Sequence, residues 1–275
     1  MTASPTVAVV TGAGRGMGRS CADALAGTVD TLVLVDRDRD LLAVTGQELN
    51  DAGSQVTVFD ADVTNRERLH ELAALVAGLG TLTAVAHAAG ISPTMASWRP
   101  IFEVDLVGSA LVLDCLAPRV TNGTAAVCFS SMASQIVVPH GDPTVDALLD
   151  DPFRPDLLDR LAAAIGDQIT DPAVAYGWAK RGVQRLARRE AVRWGRSGGR
   201  VCSVSPGIID TPQGNQEAEA QPAMAALVEL SPVKRVGHPR EVTDVVAFLL
   251  SDTASFVTGI DVLVDGGVCA ALEFS

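Results

Sequence analysis

Residues 6–18 join a β-branched run to a glycine-rich turn, and this junction constrains the fold more than any other stretch of the chain. The run ends at residue 10, glycines follow at 12, 14, 16 and 18, and a helical pattern then continues to about residue 26. Such a turn lets the backbone approach a ligand, and the helix that follows offers free amides and a positive dipole end. A glycine-rich turn alone is also typical of a plain loop, but its position between strand and helix favours a pyrophosphate cradle. The residues of this predicted cradle are Gly12, Arg15, Gly16, Met17 and Gly18.

Asp36 follows the next apolar run, residues 31–35. A carboxylate at this point, about 20 residues after the glycines, can accept hydrogen bonds from both hydroxyls of an adenosine ribose and would repel a 2′-phosphate. The spacing favours this role over that of an ordinary residue at a strand end. We therefore expect NAD rather than NADP, although Arg15 and Arg37 are close enough in sequence to hold a phosphate.

The alternation of strand and helix continues through residues 56–59 and 84–86, with an amphipathic helix predicted between them over about residues 65–78. Parallel strands that alternate with helices form a doubly wound sheet, whose ligand crevice lies at the carboxyl ends of the strands. The sequence thus predicts an α/β fold of the Rossmann type, with about seven parallel strands flanked by helices. Asp62 and Val63 are expected beside the adenine, and Ala89 and Gly90 beside the middle of the cofactor.

The composition suits one large domain that covers residues 1–275, because 48% of the residues are apolar and the mean hydropathy is +0.27. The net charge of −12 would repel nucleic acid and anionic lipid surfaces. No basic region precedes the first apolar run, and no span approaches the ~20 apolar residues needed to cross a bilayer. We therefore expect a soluble, cytoplasmic protein with neither nucleic-acid nor membrane partners.

The five cysteines are widely spaced and mostly lie inside apolar runs. This pattern favours buried, reduced thiols over a disulfide or a metal site. We expect no bound metal.

Tyr176 and Lys180 stand four residues apart in a segment with a helical pattern, and Tyr176 is the only tyrosine of the chain. Positions i and i+4 share one face of a helix. A phenol has a pKa near ~10, and an ammonium group within a few ångströms favours its phenolate. The pair could therefore pass a proton at neutral pH. Taken alone, however, the spacing is more typical of an aromatic on a helix face and a solvated lysine.

Seven motifs occur in the order found in short-chain dehydrogenase/reductases, and they span nearly the whole chain. They are Thr11 and Gly12 with Gly16 and Gly18; Asp62 and Val63; Ala88, Ala89 and Gly90; Ser130 and Ser131; Tyr176 with Lys180; Pro206 and Gly207 with Thr211; and Asp265, Gly266 and Gly267. The chain resembles this family. The resemblance implies an NAD-dependent alcohol dehydrogenase or ketone reductase that acts on a small-molecule secondary alcohol or ketone.

The resemblance also implies roles for individual residues. Tyr176 would take the alcohol proton as general base, or donate it in reduction, while Lys180 lowers the pKa of Tyr176 and binds the nicotinamide ribose. Ser131 would orient the substrate oxygen. The nicotinamide end of the cofactor would lie against Pro206, Gly207, Ile209 and Thr211, where the backbone of Ile209 and the hydroxyl of Thr211 hold the carboxamide.

The chain departs from the family at Asp105 and His87, because asparagine is usual at both positions. Asp105 lies in a helix predicted from about residue 101 to 120 and would complete a water relay from Lys180 while favouring its ammonium form. We interpret His87 as a structural residue of the sheet rather than a proton carrier.

A further departure is an insertion over about residues 139–172, between Ser131 and Tyr176. A similar insertion occurs in bacterial 3α-hydroxysteroid dehydrogenase/carbonyl reductase, where it alters the usual helix-to-helix subunit contact. Asp142-Pro143, Asp151-Pro152 and the apolar face of Leu157, Leu158, Leu161 and Ile165 predict two short helices. An equally good alternative is a surface excursion with no role in the site.

Three other segments also have predicted roles. Residues 213–231 are consistent with a mobile lid that supplies no charged anchor for a substrate. The apolar tail, residues 268–274, is consistent with a subunit contact. The arginines that follow Lys180 should form a solvated or subunit-facing stripe. We expect a homo-oligomer, a tetramer or dimer as in the family.

Few features of the sequence identify the substrate. An apolar, cyclic or steroid-like alcohol is the first hypothesis, and a 3-oxoacyl thioester the alternative within the family. A non-catalytic NAD sensor or structural subunit is the alternative from another class, since a fold does not prove a function.

Overall fold

The computed structural model describes residues 4–138, 140–220 and 223–274. Seven strands form one parallel sheet in the order β3-β2-β1-β4-β5-β6-β7. The chain reverses its direction of winding between β1 and β4, so a crevice opens there at the carboxyl ends of the strands. This sheet confirms the predicted fold. The strands are β1 Thr6–Thr11, β2 Thr31–Asp36, β3 Val56–Asp60, β4 Thr81–His87, β5 Ala125–Phe129, β6 Arg200–Pro206 and β7 Asp261–Val264.

Helices cover both faces of the sheet. The inner strands read as continuous apolar runs because each is buried on two sides. The α-helices are α1 Gly16–Leu25, α2 Arg39–Asp51, α3 Arg66–Leu79, α4 Trp98–Ile101, α5 Ser109–Leu116, α6 Ala133–Ile136, α7 Pro143–Leu149, α8 Leu157–Ile165, α9 Pro172–Gly195, α10 Pro212–Ala220, α11 Ala223–Leu230, α12 Pro239–Leu250 and α13 Val268–Phe274. Short 3₁₀ segments occupy Ala117–Arg119, Gly166–Thr170 and Asp252–Ala254. One core layer packs α3, α5 and α9 on the sheet, and the opposite layer packs α1, α2 and α12.

The prediction of one regular helix over residues 101–120 is wrong. A π-helical segment, Phe102–Gly108, separates α4 from α5, and Asp105 lies inside it. The wider turn of a π-helix inserts an extra residue and changes the direction in which the following side chains point. Such segments occur frequently at functional sites.

The insertion forms the two predicted helices, α7 and α8, although Pro139 at its start lies outside the described residues. Asp142 caps α7 by accepting hydrogen bonds from the amides of Thr144 and Val145, as its position before Pro143 predicts. The apolar face of α8 is buried in a cluster shared with α9 and the π-helical segment. The insertion therefore packs directly on the helices that carry Tyr176 and Asp105.

Some arginines of the expected stripe after Lys180 are half-buried and form ion pairs within the chain. Arg181 forms two hydrogen bonds to Asp146, at 2.6 and 2.8 Å, and Arg185 binds both Asp146 and Asp150. These half-buried pairs attach α7 to α9. Arg188 and Arg189 are exposed, as the stripe predicts.

The expected lid consists of α10 and α11, with residues 221–222 between them outside the described chain. In the tail, Val268 packs against Met132 and Ile208, whereas Phe274 at the end of α13 is 83% exposed. The subunit contact of this tail stays a prediction. Over the residues that the structure describes, no helix has the length and apolarity to span a membrane, and no three metal-ligating side chains converge.

Candidate active site

A cleft at the carboxyl ends of the strands brings together nearly all of the residues selected from the sequence. These lining residues are Gly12, Arg15, Gly16, Met17, Gly18, Asp36, Arg37, Asp62, Val63, Ala89, Gly90, Ser131, Tyr176, Pro206, Gly207, Ile209 and Thr211. Lys180 and Asp105 lie directly behind Gly90, where an added Cβ would be 3.1 Å from the lysine Nζ and 2.9 Å from the carboxylate Oδ1.

The glycine-rich turn has the shape of an anion cradle. Gly12 has φ +68°, and a Cβ there would lie 2.8 Å from the amide nitrogen of Ala89, while one at Gly18 would meet the carbonyl oxygen of Gly12. At the start of α1, Arg15 makes no side-chain capping bond, and the first turn carries no acidic residue. The amides at this helix end are therefore left for a ligand, and the residues present fit a pyrophosphate.

Asp36 lies at the end of the cleft where the adenosine of the cofactor is expected. Its Oδ2 accepts a hydrogen bond from the Gly14 amide at 2.9 Å, and its Oδ1 accepts one from the Asp38 amide at 3.0 Å. Each oxygen keeps a further lone pair, so the carboxylate can still accept from ribose hydroxyls. Arg15 and Arg37 are exposed beside it.

Tyr176 and Ser131 meet at the other end of the cleft. The Ser131 hydroxyl hydrogen-bonds to the tyrosine, and its Oγ also accepts from the Ala133 amide at 3.2 Å. Lys180 is buried behind this pair, with Nζ 5.4 Å from the centroid of the Tyr176 ring and donating to the Phe129 carbonyl at 3.1 Å. A phenol and a hydroxyl thus meet in the cleft, and an ammonium group is buried directly behind them.

The electrostatic environment of Tyr176 differs from the prediction. Burial raises the pKa of Tyr176 well above its ordinary value, the carboxylates of Asp105 and Glu217 raise it further, and the hydrogen bond from Ser131 opposes the increase. The pKa of Tyr176 in the chain by itself is therefore above its ordinary value, and the lowering by Lys180 stays a prediction. Two carboxylates at this end of the cleft favour the protonated phenol.

Asp105 is fully buried beside Lys180. Its Oδ1 accepts a hydrogen bond from the Ile91 amide at 2.9 Å and lies 3.8 Å from the lysine Nζ, whereas its Oδ2 has no hydrogen-bond partner among the described residues. Burial raises the pKa of Asp105 to about 6, and Lys180 and the Ile91 amide oppose the increase. The carboxylate of Asp105 thus supplies the acceptor expected at this position.

His87 is held between two hydroxyl groups. Thr11 Oγ1 lies 2.7 Å from Nδ1, and Ser109 Oγ lies 2.8 Å from Nε2 and itself donates to the Asp105 carbonyl. This network assigns the ring proton to Nε2. Burial lowers the pKa of His87 to about 3, with Lys180 contributing. These contacts support the structural interpretation of His87.

Thr211 connects the cofactor end of the cleft to the lid. Its Oγ1 accepts a hydrogen bond from the Gly214 amide at 2.9 Å, at the start of α10, and its side chain lies against Gly16. The hydroxyl proton stays available as a donor.

Two family models cover most of the chain. The model described as short chain dehydrogenase matches residues 6–143, and the model described as enoyl-(acyl carrier protein) reductase matches residues 161–269. The first of these alone covers half of the chain. The chain belongs to the short-chain dehydrogenase/reductases.

Relatives and solved structures agree with this assignment. The short-chain dehydrogenase/reductase is 32% identical to a cis-4-hydroxycyclohexanecarboxylate dehydrogenase of Sinomonas cyclohexanicum, over 96% of both chains. It is also 32% identical to a cyclohexanol dehydrogenase of an Acinetobacter species, over 94% of this chain and 93% of that protein. A short-chain type dehydrogenase/reductase from Mycobacterium ulcerans superposes with a TM-score of 0.78 at 26% identity, over 98% of this chain and 92% of that structure. The protein is therefore an oxidoreductase of a family that binds a nicotinamide cofactor.

Several residues of this oxidoreductase's cleft could not be predicted from the sequence. Ile91, Met95 and Met224 add apolar side chains to its lining, and Glu217 on α10 contributes a carboxylate. The lid therefore contributes a charged group to the cleft, although no charged anchor for a substrate was expected from its sequence. No local pattern distinguishes Glu217 from the other polar residues of 213–220, because its position depends on how α10 folds back over the cleft.

Proposed function

We propose that this short-chain dehydrogenase/reductase transfers a hydride between NAD and a secondary alcohol or its ketone on an apolar, cyclic skeleton. The observation that carries the proposal is the contact of Ser131 with Tyr176, backed by Lys180, at the inner end of a cleft that begins in a phosphate cradle. When bound, the nicotinamide supplies or accepts the hydride.

The chain's own residues manage the proton. Ser131 donates a hydrogen bond to the substrate oxygen and orients it toward Tyr176. Tyr176 takes the alcohol proton during oxidation, or donates a proton to the carbonyl oxygen during reduction. Because Asp105 and Glu217 favour the protonated phenol, Tyr176 is prepared for the donating role in the chain by itself.

Lys180 and Asp105 stand behind Tyr176 as positioning residues. The ammonium group of Lys180 is oriented by the Phe129 carbonyl and by Asp105, and it would bind the nicotinamide ribose through its third donor. The unpartnered Oδ2 of Asp105 can accept from a water molecule, which would complete the relay expected from Lys180.

Asp36 supports NAD as the cofactor. Two backbone amides hold its carboxylate at the adenosine end, where it would repel a 2′-phosphate. The remaining predicted residues of the cradle and the adenine site would hold the cofactor as the sequence implies.

The lining of the inner cleft supports an apolar ring as substrate. Ile91, Met95 and Met224 give the cleft apolar walls, and the two methionines can adapt their shape to a ligand. Two relatives that match over nearly their whole length are named for the oxidation of cyclohexane-ring alcohols.

A panel of substrates tests the proposal. Purified protein would be mixed with NAD or NADP and with cyclohexanol, a 3-hydroxysteroid or a linear secondary alcohol. A parallel reaction would contain NADH or NADPH with a 3-oxoacyl thioester, and the absorbance of reduced nicotinamide would be followed in both. We expect turnover of ring alcohols with NAD. Turnover confined to 3-oxoacyl thioesters, or tight NAD binding without any turnover, would contradict the proposal, and the second result would indicate a sensor.

A further inference from the structure

We propose that Glu217 selects alcohols and ketones that carry a second hydrogen-bond donor, an ammonium or a hydroxyl group, and that it excludes substrates carrying a carboxylate. The inference rests on the proposed function, because it specifies which ring alcohols the cleft accepts. Glu217 belongs to α10 and lines the same cleft as Ser131 and Tyr176.

Two elements hold the side chain of Glu217 in place. Gln213, one turn earlier on α10, lies with Nε2 3.4 Å from Oε1 of Glu217. The fully buried Ser92, from the loop after β4, lies near enough to this carboxylate to oppose the rise of its pKa. The half-buried side chain of Glu217 thus has polar neighbours on two separate segments, unlike the exposed Glu219 two residues later.

The carboxylate keeps unused acceptor capacity. An ionised carboxylate offers about four lone-pair sites, and Gln213 and Ser92 use only part of them. Among the ion pairs of residues 4–138, 140–220 and 223–274, none involves Glu217. Burial raises the pKa of Glu217, and the charge of Asp105 adds to this increase. The increase is opposed by Gln213, Ser92 and Lys180. A donor on a bound ligand would restore the hydrogen bonding that burial removes from Glu217.

The position of Glu217 indicates a substrate rather than the cofactor. Its charge acts on Tyr176 and Lys180, which lie at the proton-transfer end of the cleft. Met95 and Met224 line the same cleft and can hold an apolar ring. A ring alcohol that reaches Ser131 and Tyr176 with its reacting oxygen would therefore direct a second substituent toward Glu217. A carboxylate substituent would meet the like charge of Glu217 in a partly desolvated site.

The test compares wild-type protein with Glu217→Gln and with the matched control Glu219→Gln, which removes the same charge from an exposed position of α10. The substrates are cyclohexanol, 4-aminocyclohexanol, 1,4-cyclohexanediol and 4-hydroxycyclohexanecarboxylate, each with NAD. We expect Glu217→Gln to lower the ratio of kcat/KM for 4-aminocyclohexanol to that for cyclohexanol by about tenfold or more, mainly through KM. The diol ratio should fall less, because an amide oxygen still accepts a hydrogen bond, and the carboxylate ratio should rise. Glu219→Gln should leave all ratios near the wild-type values.

Calorimetric binding of cyclohexylammonium and of cyclohexanecarboxylate tests Glu217 without turnover. Wild-type protein should bind the ammonium ligand more tightly, and Glu217→Gln should remove most of that difference. Equal changes for all ligands, or a change confined to the affinity for NAD, would overturn the proposed role of Glu217. Absence of any turnover together with the expected binding difference would instead contradict the proposed function alone.

Discussion

Lys180 and Asp105 form a buried pair in which the lysine Nζ lies 3.8 Å from Oδ1 of the carboxylate, and the two residues are 5% and 0% exposed. The pair is incompletely compensated, because Oδ2 of Asp105 has no partner among the described residues. Asparagine, the usual residue of the family here, would offer an acceptor without a charge. Asp105 therefore changes the electrostatics behind Tyr176 while keeping the hydrogen bond from the Ile91 amide.

Replacement of Asp105 by asparagine should stabilise the protein in a pH-dependent way. The pKa of Asp105 is about 6 in the folded chain, above the ordinary value of 3.8. The folded state therefore binds this proton more tightly, and wild-type protein loses stability as the pH rises from about 4 to above about 6. Asp105→Asn removes that loss, so its free energy of unfolding relative to wild type should rise with pH over this window, by about 3 kcal/mol at most.

Urea unfolding at a series of pH values measures this difference for Asp105→Asn. The control is Asp167→Asn, at an exposed position of the insertion, where the difference should stay small. A difference for Asp105→Asn that does not depend on pH would show that burial does not perturb this carboxyl group.

Asp146→Asn should loosen the insertion. Asp146 receives both hydrogen bonds of Arg181 and one from Arg185, and these half-buried contacts attach α7 to the helix of Tyr176. Charge-assisted bonds of this kind contribute about 1–3 kcal/mol. We expect faster amide hydrogen exchange over residues 143–165 in the variant.

The matched control for this prediction is Asp159→Asn, which removes an exposed pair with Arg99 that is worth about 1 kcal/mol or less. If both variants exchange like wild type, the Arg181 and Asp146 contact does not hold the insertion in place.

The sequence was most informative where a residue's position follows from the sheet itself. Asp36 ends β2, and Asp62 and Gly90 follow β3 and β4. Because the carboxyl ends of parallel strands meet at one edge, the convergence of these residues could be predicted without knowing the loops. Local signals also predicted α7, because Asp142 and Pro143 are a cap and a first helical residue.

The features that could not be predicted from the sequence depend on contacts between segments that are distant along the chain. The π-helical turn at Asp105 leaves no mark in the apolar pattern of residues 101–116. Glu217 reaches the cleft only because α10 folds back over it, and the ion pairs of Arg181 join residues 35 positions apart. The raised pKa of Tyr176 likewise results from burial and from two carboxylates that lie far from it in sequence.

Removal of the charge at Asp36 should shift the cofactor preference. Asp36→Asn keeps an oxygen that can accept from the Gly14 amide but no longer repels a 2′-phosphate. The ratio of kcat/KM for NAD to that for NADP should therefore fall by about tenfold. Arg15 and Arg37 are exposed nearby and could contact the phosphate. A wild-type preference for NADP, or an unchanged ratio in the variant, would contradict the role of Asp36.

Tyr176→Phe tests the central claim most directly. The variant keeps the ring beside Lys180 but loses the hydroxyl that meets Ser131, and Ser131→Ala serves as a comparison that retains the phenol. Turnover of a ring alcohol should fall by about 10²-fold or more in Tyr176→Phe, since proton transfer by a positioned group contributes that much. Affinity for NAD, measured by fluorescence titration, should stay close to that of wild type. Near-normal turnover in Tyr176→Phe would show that Tyr176 does not transfer the proton and would contradict the proposed mechanism.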